Sequence, residues 1–203
     1  MNQNLINDES LRGGGGREAK RRETSERIAE VGLRLFLAHG YDATTLDVIA
    51  NEVGISRRTF FSYFKSKEEL LIAWKNKGWA AILSEILQVS PDRDPLDAVR
   101  DILVKNISLQ ATDNMAAIGD LLRDNELLRN RKEANYFVQE KALFDVLVQV
   151  WRQPERRPAL RLIAMLAVGV LRLSLDVWSQ QKGKRTPAGK LLSDEFDRIR
   201  TEI

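Results

Sequence analysis

Two adjacent arginines, Arg57 and Arg58, open a short segment that also carries Thr59, Phe61, Ser62 and Tyr63. An arginine fork can pair with O6 and N7 of one guanine, a contact worth about 1–3 kcal/mol of discrimination between bases. A threonine methyl or the Phe61 ring can meet a thymine methyl, and the Tyr63 hydroxyl can bond a phosphate. This chemistry requires a helix aimed into a groove. The surrounding residues, TTLDVIANEVGISRRTFFSYFKSKEE from Thr44 to Glu69, have the spacing that such a helix needs. Ile49 and Val53 stand at i, i+4 on a first short helix, Ala50 permits close approach, and Gly54 suits a turn with positive φ. Ile55 plugs the turn, and Phe60 and Phe64 return a second helix, about Ser56 to Phe64, to the core. The pattern is that of a helix-turn-helix, with Arg57, Arg58, Phe61 and Ser62 outward and Thr59 and Tyr63 at the flanks.

The helix starts agree. Thr44 with Asp47, and Ser66 with Glu69, have capping-box spacing. Such starts offer free backbone N–H groups and positive dipole ends to phosphates. Thr45, Lys65 and Lys67 lie beside them, suited to holding a duplex in register. The candidate DNA contacts are therefore Thr44, Thr45, Ser56, Arg57, Arg58, Thr59, Phe61, Ser62, Tyr63, Lys65 and Lys67.

Catalysis has little to work with. The 203 residues include no cysteine, which removes disulfides, thiolate metal sites and cysteine nucleophiles. The one histidine, His39, falls in the last turn of an expected helix, where it complements the helix dipole. The carboxylates show no paired spacing that stands out, so no catalytic residue, metal or cofactor is expected. A net charge of +3 with pI near 9.2 permits an anionic partner without requiring one. The first 22 residues are polar and offer no apolar stretch for a secretory signal. The longest clean apolar run, Leu162 to Leu171, is about half of the roughly 20 residues that cross a bilayer. A cytoplasmic chain without membrane contact is the expectation.

The elements that position the motif are helices throughout. No run alternates at period two and no Asn-Gly or Asp-Gly hairpin signal occurs. An all-α fold of about nine helices is expected. Residues 1–22 are read as a flexible basic tail, because Gly13–Gly16 disfavour a regular element. Residues 23–69 are read as a three-helix DNA-binding domain and 70–203 as a helical bundle for ligand binding and dimerisation. The first helix should run from about Glu23 to His39, with Ile28, Val31, Leu35 and the pair Phe36/Leu37 as its apolar face, and Gly40 as its cap. Later helices are expected near 67–87, 95–111, 114–123, 125–152, 156–181 and 188–201.

In the bundle, Asn106 and Gln110 continue the apolar stripe Val99, Ile102, Leu103, and Asn135 stands near Phe137 and Val138. Polar groups on a core-directed stripe need partners, which a ligand or the protein itself can supply. With Trp74, Trp79, Met115, Phe137, Phe144, Trp151 and Met165, they form the candidate lining of an effector site; core packing is the competing reading. The 156–181 helix is apolar on nearly every side and needs cover all round. A partner subunit could supply it, with the 188–201 helix (Leu191, Leu192, Phe196, Ile199) completing a four-helix interface and Ala164, Ala167 and Gly169 permitting close approach; burial inside its own domain is the competing reading.

The segments FLAHGYDATT, IANEVGIS and TFFSYFKSKEELL, between Ile28 and Leu71, resemble the N-terminal domain of the tetracycline-repressor (TetR) family. The helix order that follows is similar to that family over nearly the full length. The resemblance implies a homodimer on a double-stranded operator with two-fold symmetry, a cavity for a small-molecule effector, and release of DNA when the effector binds. Family DNA contacts carry over to Thr45, Arg57, Arg58, Thr59, Tyr63 and Lys67. The family often has tyrosine where this chain has Phe61, so a phosphate contact from that hydroxyl is lost. A TetR-like activator or a non-specific DNA-binding protein is the alternative. The segments LLRDNELLRNRKEANY and LRLSLDVW resemble a branch associated with mycofactocin-type regulators, which implies an acyl-thioester or lipid-like effector.

Overall fold

The computed structural model describes residues 12–112, 115–119, 126–181, 183 and 185–202. Among them there is no strand, and the fold is all-α. The helices are α1 (Arg12–His39), α2 (Leu46–Val53), α3 (Arg57–Phe61), α4 (Lys67–Ile86) and α5 (Pro95–Gln110). They continue with α6 (Glu126–Val150), α7 (Arg157–Gln180), which a 3-10 turn at Pro154–Arg156 precedes, and α8 (Ala188–Glu202). Residues 115–119 are also helical; the rest of the helix expected at 114–123 lies outside the described residues. No helix among the described residues is long and apolar enough to cross a membrane.

The chain divides into two compact units at Trp74/Lys75. In the first, Ile28, Ala29, Leu33, Leu35 and Phe36 of α1 join Ile49, Ala50, Phe60, Phe64, Leu70 and Leu71 in the core. Gly32 is needed where α1 meets α4, since a Cβ there would lie 2.6 Å from Leu70 Cδ1. Two expectations for α1 change. The helix starts at Arg12, not near Glu23, which places Gly13–Gly16 within it. Once a nucleus is packed, each added residue gains a hydrogen bond at low cost, and the Arg/Glu/Ala/Lys run from Arg17 propagates well. Its inward face is Gly32/Leu33 and Leu35/Phe36, whereas Leu37 is turned to solvent. A helix advances 100° per residue, so one neighbour of Phe36 must leave the core.

In the second unit α6 packs on α7, while α5, α7 and α8 pack on one another. One contiguous apolar core includes Trp79, Ile82, Val99, Leu103, Leu143, Leu147, Trp151, Leu160, Val168, Leu192 and Phe196. α5 starts cleanly because Asp94 caps it, accepting from the Asp97 N–H at 3.0 Å, and Pro95 follows at the first helical position. α4 crosses the boundary, opening in the first unit and closing in the second.

Candidate nucleic-acid interface

The geometry at α2 and α3 follows from a few local choices. Gly54 takes φ 77, ψ 33 after α2, so its own N–H and that of Ile55 reach back to the last carbonyls, Ile55 to Ala50 at 3.0 Å. That left-handed residue turns the chain steeply into α3. Ser56 then caps α3, its hydroxyl accepting from the Thr59 N–H at 3.1 Å. Phe60 is fully buried, which stabilises the unit by roughly 1.5–3 kcal/mol and fixes the rotation of α3. The opposite side is thereby set outward: Ser56, Arg57, Arg58, Thr59, Phe61 and Ser62 are exposed. α3 is shorter than expected, since residues beyond Phe61 form a turn, yet Phe64 still reaches the core.

The two arginines differ. Arg57 is tied to Asp47 of α2 at 2.8 Å and lies over the Phe61 ring at 5.5 Å. Arg58 has no hydrogen bond or ion pair among the described residues. Arg21, in a segment expected to be tail, donates to the Ser62 carbonyl at 3.2 Å and lies over the half-buried Tyr63 ring at 5.8 Å. Lys65 is exposed. Its backbone N–H donates to the Glu69 carboxylate at 2.8 Å, and the Ser66 hydroxyl accepts from the Glu69 N–H at 3.3 Å, the capping expected of that pair. Lys67 is half-buried and donates to the Tyr41 carbonyl at 2.7 Å.

Thr44 departs from expectation. It is 2% exposed, and its hydroxyl donates inward to the carbonyls of Gly40 and Leu35 at 2.8 and 3.3 Å. Thr45 is the cap of α2, accepting from the Val48 N–H at 3.2 Å, and it is exposed. Both are threonines, and backbone conformation, not residue type, decides which one caps.

The residues expected to line an effector site fall in different surroundings. Asn106 is buried and satisfied internally, donating to the Ile102 carbonyl at 2.9 Å and to Glu85 at 3.0 Å. Hydrogen bonds from Lys105 and then Asn106 hold the Glu85 carboxyl below its usual range. Asn135 exchanges hydrogen bonds with Asn76 at 2.9 and 3.1 Å. Gln110 packs on Gly78, and Trp151 is in the core with its indole N–H on the Arg93 carbonyl at 3.0 Å. Met115 is partly buried against that core and Trp74 is half-buried. Two residues are turned out: Phe137 is 75% exposed and Met165 is exposed. On α6 the inward positions next to Phe137 and Val138 are Tyr136 and Gln139.

An all-helical chain with a helix-turn-helix that places two arginines on its outer face defines a DNA-binding regulator. Residues 28–74 carry the DNA-binding domain of the TetR family. Residues 28–74 match the family described as "Bacterial regulatory proteins, tetR family". The chain is 32% identical over 121 residues to the HTH-type transcriptional regulator YerO of Bacillus subtilis, 57% of this chain and 40% of that protein. It is 28% identical over 125 residues to the putative mycofactocin biosynthesis transcriptional regulator MftR of Mycobacterium tuberculosis, 61% of this chain and 56% of that protein. The matches thus span about half the length of these relatives or less. Among solved structures, Thermus thermophilus FadR, a TetR-family repressor in complex with lauroyl-CoA, has the same fold. Its TM-score is 0.59 at 21% identity, covering 88% of this chain and 93% of that one.

Proposed function

We propose that the chain is a ligand-responsive repressor that binds a palindromic operator as a homodimer and leaves it when a small molecule binds the second unit. The observation that carries the DNA side is the free Arg58 beside the Asp47-held Arg57 at the start of a helix whose other face is buried. Thr45, Ser56, Thr59, Phe61, Ser62, Tyr63, Lys65 and Lys67 flank them. The inward Thr44 contributes by fixing the loop before α2, not by its hydroxyl.

Dimerisation is supported by an uncovered face of α7. Leu162, Met165, Leu173 and Val177 are between 48% and 62% exposed and, with Gly169, follow one side of the helix. Their helical spacing makes a continuous stripe that a second copy would cover. Leu192, Phe196, Ala164 and Ala167 lie in the chain's own core, so the α8 contribution falls to Leu191, Ile199 and their exposed neighbours. Two reading helices must sit about 34–36 Å apart to enter successive major grooves. Because α4 crosses from one unit into the other, a ligand that favours another α4 position would shift the population away from that spacing. That a protein of this fold was solved with lauroyl-CoA supports an effector in the helical unit.

Glutamate at Leu162 and Leu173 tests the assembly. The double variant should be monomeric by light scattering and should bind a selected operator at least 10-fold more weakly. A variant that stays dimeric, with unchanged affinity, would refute the α7 interface.

A further inference from the structure

Three helices of the second unit gather cations around one aromatic ring. The ammonium groups of Lys75 and Lys132 and the Arg172 guanidinium lie 5.9, 5.9 and 5.6 Å from the Tyr136 ring centre. Two of them are answered: Lys132 pairs with Asp176 at 2.6 Å and Arg172 with Glu133 at 2.9 Å. Lys75, half-buried on α4, has no hydrogen bond or ion pair among the described residues. Tyr136 is only 9% exposed, and its hydroxyl is buried without a hydrogen-bond partner. One helical turn past Lys75, the indole N–H of Trp79 is likewise buried and unpartnered. Among the described residues the cluster is therefore one anion short, and its unanswered groups can all donate.

An ammonium drawn from water without a counter-charge, and a buried hydroxyl without an acceptor, are both unfavourable. A single group with negatively charged oxygens would answer both. The surroundings set the rest of such a ligand, because Tyr136 and Trp79 belong to the contiguous apolar core against which Met115 packs. We propose that this cluster is the head-group site for an anionic amphiphile, a carboxylate or phosphate ester on an apolar body, held by the Lys75 ammonium and the Tyr136 hydroxyl. The proposal rests on the effector-responsive reading above and names the chemistry of that effector. Lys132 and Arg172, each tied to its own carboxylate, position the ring and add positive potential. Burial lowers the Lys75 ammonium to about 8 and Lys132 adds to the shift, together outweighing the opposite pull of Asp176 and Glu133.

The test uses the full chain with three probes below their micellar concentrations: dodecanoate, dodecyl phosphate and, as the neutral control, dodecanol. Calorimetric titration at pH 7 should show one or both anions binding at least 10-fold more tightly than the alcohol. The anion that binds distinguishes a carboxylate from a phosphate head. Lys75→Met should remove that preference while leaving dodecanol binding unchanged, and Tyr136→Phe should weaken the anion several-fold. Both variants should melt no lower than the wild type, since each deletes an unanswered polar group. Failure of both anions to bind, equal binding of dodecanol, or anion binding that Lys75→Met leaves intact would overturn the site. The two readings fail separately. Lys75-dependent binding that never releases operator keeps the site and removes the effector role. Release by a neutral compound, equal in wild type and Lys75→Met, keeps the effector role and removes the site.

Discussion

Asp47 of α2 and Arg57 of α3 are joined by an ion pair of 2.8 Å that spans the helix-turn-helix, while the next residue, Arg58, has no such partner among the described residues. The pair is exposed on both sides, so it contributes little stability, within about 1 kcal/mol. Its consequence is orientation of one guanidinium and a negative charge placed beside the reading surface. Asp47→Ala should leave the melting temperature nearly unchanged and tighten binding to random duplex. Discrimination between operator and random DNA should then fall several-fold, measured by competition at fixed salt.

Arg58, already free, should behave as a base reader. Arg58→Ala is expected to cost about 1–3 kcal/mol against the best site and to relax preference at one base pair per half-site. Lys65→Ala, a phosphate contact on this reading, should weaken all duplexes alike and lessen the salt dependence. Titrations of single-base operator variants separate the two behaviours.

Gly54 owes its identity to backbone conformation alone. It sits at φ 77, and a Cβ there would meet nothing within 4 Å. Gly54→Ala should therefore destabilise the first unit by about 1–2 kcal/mol, the cost of a left-handed alanine. Gly54→Asn should recover much of that, because asparagine tolerates the region. Urea denaturation followed by circular dichroism reads both.

Lys75 makes opposite predictions for stability and for binding. Its folded value of about 8 lies below the ordinary 10.5, so the folded state holds fewer protons between those values. Stability should rise with pH across that window relative to Lys75→Met. Affinity for an anionic amphiphile should instead fall as pH rises through about 8, approaching 10-fold per unit above it. The groups facing Lys75 do not reproduce this. Tyr136 is pushed up by burial and stays a neutral donor, and Lys132, Asp176, Glu133 and Arg172 face Lys75 as two ion pairs. Calorimetry at pH 7 and pH 9 decides it.

Asn106 is expected to be structural. Its amide bridges Glu85 and the Ile102 carbonyl, so Asn106→Ala should destabilise by about 1–2 kcal/mol and leave ligand binding alone. The support that Asn106 and Lys105 give the Glu85 carboxylate is present above its unfolded value. It fades as pH falls through the lowered folded one, so the variant's deficit should shrink in acid.

The reading head was legible in the sequence because its determinants are local. Ile49, Ala50, Gly54, Phe60 and Phe64 lie within sixteen residues, each fixed by helix period or by backbone conformation. What escaped was either a choice between equivalent neighbours or an assembly across the chain. Thr44 and Thr45 compete for one cap, and Tyr136 competes with Phe137 for the inside of α6 on a helix with apolar residues on both sides. The cluster of Lys75, Lys132, Tyr136, Arg172 and Asp176 draws on α4, α6 and α7, which no spacing rule connects. A lysine among apolar residues, as Lys75 is after LLIAW, was the only local signal available.

The most direct test of DNA reading by α3 is selection from a randomised duplex pool with the wild type and with an Arg57→Ala/Arg58→Ala variant. The wild type should enrich one site of two-fold symmetry, with half-site centres about one helical turn apart. The variant should enrich none while matching the wild type in oligomeric state by light scattering. Enrichment of the same site by the variant, or of no site by the wild type, would contradict it.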